Sequence, residues 1–305
     1  MAKILRGDRF ILEKGDESYP DALLHARNPP KRLYGIGDPH SLQEGLAIIG
    51  ARRATPYGIS CAERFAALAA QREIVIISGG ARGCDSASHR AAISEGGKTV
   101  AFLGGGCDEV YPPENFSLFQ DIVDSGGAVV SENEFGFKPL PYTFRERNRL
   151  IAGLAKATLI VEAGLPSGTF STADEAIAAN RDVLVIPGSI TSKQSRGANR
   201  LIYQGATPIV DDDSFSDVLF SVFGQMKMED MRQRAIDEMD AGCKELYQAI
   251  AAQPMCAEEL SLLSAGLCGK ADALTWLMVQ LAKMEKSGLI ARYPDGSYGP
   301  KVQGA

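Results

Sequence analysis

From residue 46 the chain alternates short, uninterrupted apolar runs with helix-length stretches, and this alternation restricts its fold more than any other feature. Residues 46–49, 74–77, 99–103, 128–130, 157–161, 183–186 and 208–210 read as strands. Residues 57–71, 85–95, 116–125, 147–155, 171–179 and 199–204 read as the helices between them. A strand that is apolar at every position has no face to give to water, so both faces must be covered. The expectation is a Rossmann-like α/β fold: a mostly parallel sheet with helices on both faces, whose ligands bind outside the carboxyl ends of the strands.

The glycine-rich turns fall on that rim. Gly50-Ala51-Arg52-Arg53 follows the first strand, and Ser78-Gly79-Gly80-Ala81-Arg82-Gly83-Cys84-Asp85 follows the second. Gly104-Gly105-Gly106 comes next, and a second arginine cluster, Arg145-Glu146-Arg147-Asn148-Arg149, opens a later helix. Glycine lets backbone N–H groups approach an anion, a helix start presents positive potential, and a guanidinium can chelate two phosphate oxygens. Ser167-Gly168-Thr169 is another small-residue turn ahead of a helix. Arginines at three turns of one rim suit a ligand with several phosphates. The turn Gly79-Gly80-x-x-Gly83 lacks the G-x-G-x-x-G spacing of nicotinamide and flavin sites, so no cofactor is expected.

The rest of the chain divides by pattern. Residues 1–45 carry Pro29-Pro30 and Gly35-Ile36-Gly37 and read as an irregular appendage; 46–220 is the Rossmann-like domain. Residues 221–240 form a charged linker. In 241–305 the apolar spacing predicts helices over 243–253, 257–264 and 271–286, then a hairpin around Pro294-Asp295-Gly296, the composition of a winged helix.

A net charge of -6 excludes a protein that coats nucleic acid with its whole surface, while leaving room for a local basic groove. The six cysteines form no Cys-x-x-Cys pair and lie far from most of the three histidines, which disfavours zinc and a disulfide framework. Cys61 and Cys256 read as small buried hydrophobes. Cys84 and Cys107 have no sequence-adjacent base, so a reactive thiol is disfavoured. Asp85 and His89, four apart, read as an N-cap and a packing neighbour in preference to a catalytic pair. No signal-peptide core or membrane-length apolar stretch stands out, and a cytoplasmic location is expected.

Taken in order, Arg52, the 78–85 turn, His89-Arg90, Leu103-Gly104-Gly105-Gly106, Tyr111-Pro112-Pro113-Glu114-Asn115, Arg147-Asn148-Arg149-Leu150-Ile151-Ala152-Gly153-Leu154, Val161-Glu162-Ala163, Ser167-Gly168-Thr169 and Val185-Ile186-Pro187-Gly188 resemble the DNA-processing family DprA, also called Smf, over roughly 33–215. The resemblance implies a non-catalytic, homodimeric protein that binds single-stranded DNA and helps load the recombinase RecA during natural transformation. It implies that Arg52 and the Gly80–Gly83 turn hold phosphates, that Arg147 and Arg149 border the same pocket, and that Lys138 adds a cation. Arg53, Gly105, Arg145 and Asn148 join them on the rim. Three departures stand out: Arg145 replaces a usual proline, 1–45 is too short for a full N-terminal helical domain, and 192–199 differs from the usual Gly-Thr-Asn run. Phe135 and Phe137 are candidates to stack on a base, with core packing as the competing role. The alternative is a LOG-like nucleotide-binding or nucleotide-cleaving protein. Such enzymes carry a catalytic Glu in a Pro-Gly-Gly-x-Gly-Thr-x-x-Glu run, and this chain has Thr172 at that place.

Overall fold

The computed structural model describes residues 4–224, 236–237, 239–268 and 273–300, and the chain divides into two compact units, Met1–Gln225 and Met226–Ala305. The first unit is built on a nine-stranded sheet with the order β1-β2-β6-β5-β4-β3-β7-β8-β9. Its strands are β1 (Arg9–Glu13), β2 (Arg32–Gly37), β3 (Gly45–Ile49), β4 (Ile76–Ser78), β5 (Thr99–Phe102), β6 (Ala128–Ser131), β7 (Ala155–Ile160), β8 (Asp182–Val185) and β9 (Thr207–Pro208). From β6 to β9 every neighbouring pair is parallel, whereas β1 and β2 pair antiparallel with each other and β2 pairs antiparallel with β6.

Alternation along the central strand shows why helices lie on both sides. Leu46 and Ile48 of β3 enter a core with Ala62, Phe65 and Ala66 of the helix Pro56–Ala70, Ala87 and Ala91 of the helix Cys84–Ser94, and Phe215 of the helix Asp212–Phe223. Ala47 and Ile49 enter the opposite core with Leu150 and Ile151 of the helix Thr143–Leu154 and Ala173 of the helix Thr169–Ala178. With both faces of the central strands sealed, as in the fully buried β3, it is their ends that meet solvent.

The reading of 1–45 as an irregular appendage is corrected over its described residues, 4–45. They supply β1 and β2, and they bury Leu33 and Ile36 completely. Gly35 does not interrupt the strand: a Cβ there would overlap the Phe10 ring on β1, so glycine marks close cross-strand packing. The helix expected over 147–155 begins at Thr143, which places the arginine cluster inside its first turns. The reading of Asp85 as an N-cap is corrected too. Gly83, at φ 75°, holds that position, and Asp85 lies just inside the loop–helix junction.

In the second unit the helices Ala241–Ala252, Ala257–Cys268 and Ala273–Lys286 precede an antiparallel hairpin of Ile290–Arg292 and Tyr298–Pro300. Leu246, Ile250, Leu260, Leu277, Met284 and Ile290 form its core. Of the expected linker, 221–223 complete the helix Asp212–Phe223, while 225–235 and 238 lie outside the described residues.

Candidate nucleic-acid interface

The chain proceeds from β3 through β4 and β5 to β6 on one side of the sheet, then crosses to β7 on the other side of β3. The loops leaving β3 and β7 therefore diverge, and a crevice opens at this topological switch point. It is a cleft of about 830 Å³, lined among others by Arg52, Arg53, Arg145, Arg147, Asn148, Ser167, Gly168 and Thr169.

The inner wall is organised by a buried charge. Arg147 is 5% exposed, and its Nη1 donates to the carbonyl oxygens of Gly79, at 2.8 Å, and Phe102, capping the exits of β4 and β5. Its Nε donates to Asn148 Oδ1 at 3.2 Å, and Asn148 Nδ2 donates to Ser171 Oγ at 2.9 Å. Gly79 is required here, since a Cβ would fall 2.6 Å from Arg147 Nη1. Asp85 balances this cation: its Oδ2 accepts from the backbone N–H groups of Gly79 and Ala81 at 3.2 and 3.3 Å. Desolvation lowers Arg147 to about 10 despite the attraction of Asp85, and desolvation raises Asp85 despite Arg147. Both shifts run toward neutralisation, so burial costs this pair more than mutual attraction returns. The pair stabilises one loop geometry and adds little net energy.

The outer wall is exposed. Arg52, Arg53 and Arg145 face solvent. Arg52 lies over the Phe144 ring at 5.6 Å, and Phe144 meets Tyr111 at 5.4 Å between centroids. Together with Arg82 and Arg147 these two aromatics line a small recess of about 30 Å³ beside the main cleft. On the far side Thr169 N–H donates to Ser167 Oγ at 3.2 Å, and the helix Thr169–Ala178 starts with its positive end at the cleft.

The remaining sequence-derived residues are placed elsewhere or act indirectly. Gly80 (φ 64°) and Gly83 shape the turn; a Cβ at Gly83 would collide with the Ala51 carbonyl. Gly105 packs beneath Pro139 and the Phe137 carbonyl. Arg82 pairs with Glu114 at the surface. Arg149 does not line the cleft. Its Nη2 donates to Glu132 Oε2 at 2.5 Å, because two residues of helix turn it well away from Arg147. Lys138 is exposed and lies outside the lining. Phe135 packs on Tyr34 at 5.5 Å and under Arg9, so that ring is engaged in packing.

Sequence reasoning missed Tyr111 and Phe144, although an aromatic before an arginine cluster is a readable signal. It also missed Lys193 and Gln194, which approach only through the fold. His89 is fully buried. Thr99 Oγ1 donates to the Ile76 carbonyl, so His89 Nδ1 donates to Thr99 at 2.6 Å, and desolvation lowers the imidazole to about 3. Burial raises the Cys84 thiol to about 12 and pushes that of Cys107 up, while Cys61 is half-buried and Cys256 exposed, contrary to expectation. Their apolar neighbours in sequence do not cover them. Thr172 lines the cleft, 2% exposed, where a LOG-type site would present its acid.

The sequence model of the family described as DNA recombination-mediator protein A matches residues 10–220. Protein Smf of Escherichia coli is 31% identical over 295 residues, covering 95% of this chain and 77% of Smf. A solved structure concerning the single-stranded DNA binding mode of DNA processing protein A from Helicobacter pylori superposes with a TM-score of 0.64 at 32% identity, covering 70% of this chain and 97% of that one. DNA processing protein A from Streptococcus pneumoniae gives 0.61 at 37% identity, covering 65% and 70%. Among the described residues no helix is long and apolar enough to cross a membrane.

Proposed function

Because this chain belongs to the DNA recombination-mediator protein A family, we propose that the switch-point cleft holds single-stranded DNA, with Arg52, Arg53 and Arg145 on consecutive phosphates and a base against Phe144 and Tyr111. The observation that carries this reading is the division of labour within the cleft. Arg147 is spent on backbone carbonyls, while the outer arginines remain accessible beside an aromatic pair. Phosphate neutralisation by exposed cations and stacking on a π-face are the two sequence-independent ways to hold a single strand. The single-stranded DNA binding mode described for the Helicobacter pylori relative supports extending that activity to this chain.

Nothing in the cleft needs to break a bond. Its buried carboxylate, Asp85, is occupied by two backbone donors, and Thr172 has no titratable proton near neutrality. The protein in this reading is a binder and not an enzyme, and it acts in the cytoplasm. Delivery of the strand to RecA during transformation and assembly as a homodimer extend the proposal on family grounds. So does a winged-helix role for the second unit, as a protein contact more than a DNA reader: its third helix sets Lys283 against Glu285, and its hairpin offers Arg292.

A fluorescence-anisotropy titration tests the reading. A labelled oligothymidylate should bind in preference to duplex, with affinity falling steeply as salt rises, and Arg52→Ala should weaken it. Unchanged binding by Arg52→Ala and Arg53→Ala together would remove the cleft as the site. Release of free base from nucleoside monophosphates would restore the LOG-like alternative.

A further inference from the structure

A second cleft, of about 490 Å³, opens on the same rim and has a different chemistry. It contains no arginine or lysine among the described residues that line it. Its lining is hydroxyl-rich, with Thr55, Tyr57, Ser189, Ser192 and Ser195 around the carboxylate of Glu162. Glu162 is 3% exposed. Its Oε2 accepts from Thr55 N–H and its Oε1 from Thr55 Oγ1, both at 2.8 Å. Each oxygen thus has one donor and retains capacity for another. The Tyr57 hydroxyl donates to the Pro187 carbonyl at 2.9 Å and lies beside the Cys61 thiol.

The two clefts share a single wall. Arg53 lines the first and Thr55 the second; Gly164 lines the first and Glu162 the second. Lys193 and Gln194 face the first while Ser192 and Ser195 face the second. Three chain segments each cross from one cleft to the other within one or two residues, so a strand whose phosphates lie in the cationic cleft has a base within reach of the other.

We propose that this second cleft is a base subsite: the Glu162 carboxylate accepts a hydrogen bond from the amino edge of a nucleobase of the bound strand, and the serine hydroxyls serve the neighbouring ring and carbonyl positions. The inference rests on the single-strand reading. A carboxylate rejects phosphate and suits an exocyclic amine such as cytosine N4, whereas the O4 of uracil would set an acceptor against it. The cleft therefore gives an otherwise sequence-tolerant binder a preference for amino-bearing bases.

Oligodeoxycytidylate and oligodeoxyuridylate of equal length differ at the base only at positions 4 and 3, an amino group beside a bare ring nitrogen against O4 beside N3–H, and competing them against a labelled strand at pH 8, where uracil N3 keeps its proton, tests the idea. The wild-type protein should favour the cytidylate by roughly tenfold, the value of one hydrogen bond to a charged acceptor. Glu162→Gln should abolish the preference by weakening cytidylate binding alone. Ser189→Phe, at an exposed rim position that leaves Thr55 and Glu162 in place, should do the same by filling the mouth. Equal wild-type affinities, or a preference that survives both substitutions, would overturn the subsite. So would an equal loss for both oligomers in Glu162→Gln, which would leave Glu162 acting only through the Thr55 turn that carries Arg52 and Arg53. Failure of the wild type to bind either oligomer would instead defeat the single-strand reading.

Discussion

The inner and outer walls of the switch-point cleft are both built on arginine, yet they use it in opposite ways. Arg147 is buried against Gly79 and Phe102 carbonyls and balanced by Asp85, so its charge is consumed in holding the strand exits in register. Arg52, Arg53 and Arg145 stand in solvent, and no buried partner among the described residues fixes their charges. A cation inside the protein defines shape; a cation on the rim is available to a ligand. Motifs that run the two together, as Arg145-Glu146-Arg147 does, conceal this difference.

Substitutions should separate the walls. The largest effect is expected for Arg147→Ala, which leaves Asp85 uncompensated and removes donors from two buried carbonyls. A loss of about 3–5 kcal/mol in urea unfolding is expected, and Arg147→Lys should rescue little because an ammonium cannot reproduce the fork. A loss below about 1 kcal/mol would mean that the inner wall does not depend on this side chain. Arg52→Ala should show the reverse pattern. Stability should change by less than about 0.5 kcal/mol, while single-strand affinity falls and the slope of log affinity against log salt shrinks by roughly 0.7. A stability loss matching that of Arg147→Ala would erase the distinction.

Buried chemistry also predicts a pH response that the outer wall should not share. His89 is held near 3, below its ordinary 6.5, so the unfolded chain binds the extra proton between those values. Its contribution is intact above pH 6.5 and is lost as pH falls toward 3, at about 1.4 kcal/mol per unit. Thermal unfolding from pH 7 to pH 4 should show this slope, and His89→Gln should flatten it. Lys138→Ala is expected to matter least, changing affinity by no more than about twofold, since the side chain is exposed beyond the cleft and screened by salt. A tenfold effect would extend the binding path across the 132–141 loop.

Much of this was legible in the chain. Fully apolar strands such as 46–49 dictated a parallel sheet with two covered faces, and the glycine turns marked its carboxyl rim. The antiparallel edge was not legible, because Gly35 and Pro29-Pro30 read as breaks while the packing of Gly35 against Phe10 depends on a partner strand. The site was legible as a set of turns, but the roles of its arginines were not. Whether Arg147 or Arg145 points inward depends on where the helix begins, and that start lies four residues earlier than the periodicity suggested. Arg149 was carried along by adjacency in sequence, which a helix does not respect. Glu162 was visible only as part of a motif; its partner Thr55 is 107 residues away.

In the proposed complex the single strand lies in the switch-point cleft. Ultraviolet crosslinking of the full chain to a single strand, followed by mass spectrometry of the adducted peptides, tests it most directly. Adducts should fall on 50–53, on Tyr111 and Phe144, and on 164–169, and they should disappear when unlabelled single strand competes. Adducts confined to 241–300, with none on the rim, would contradict it.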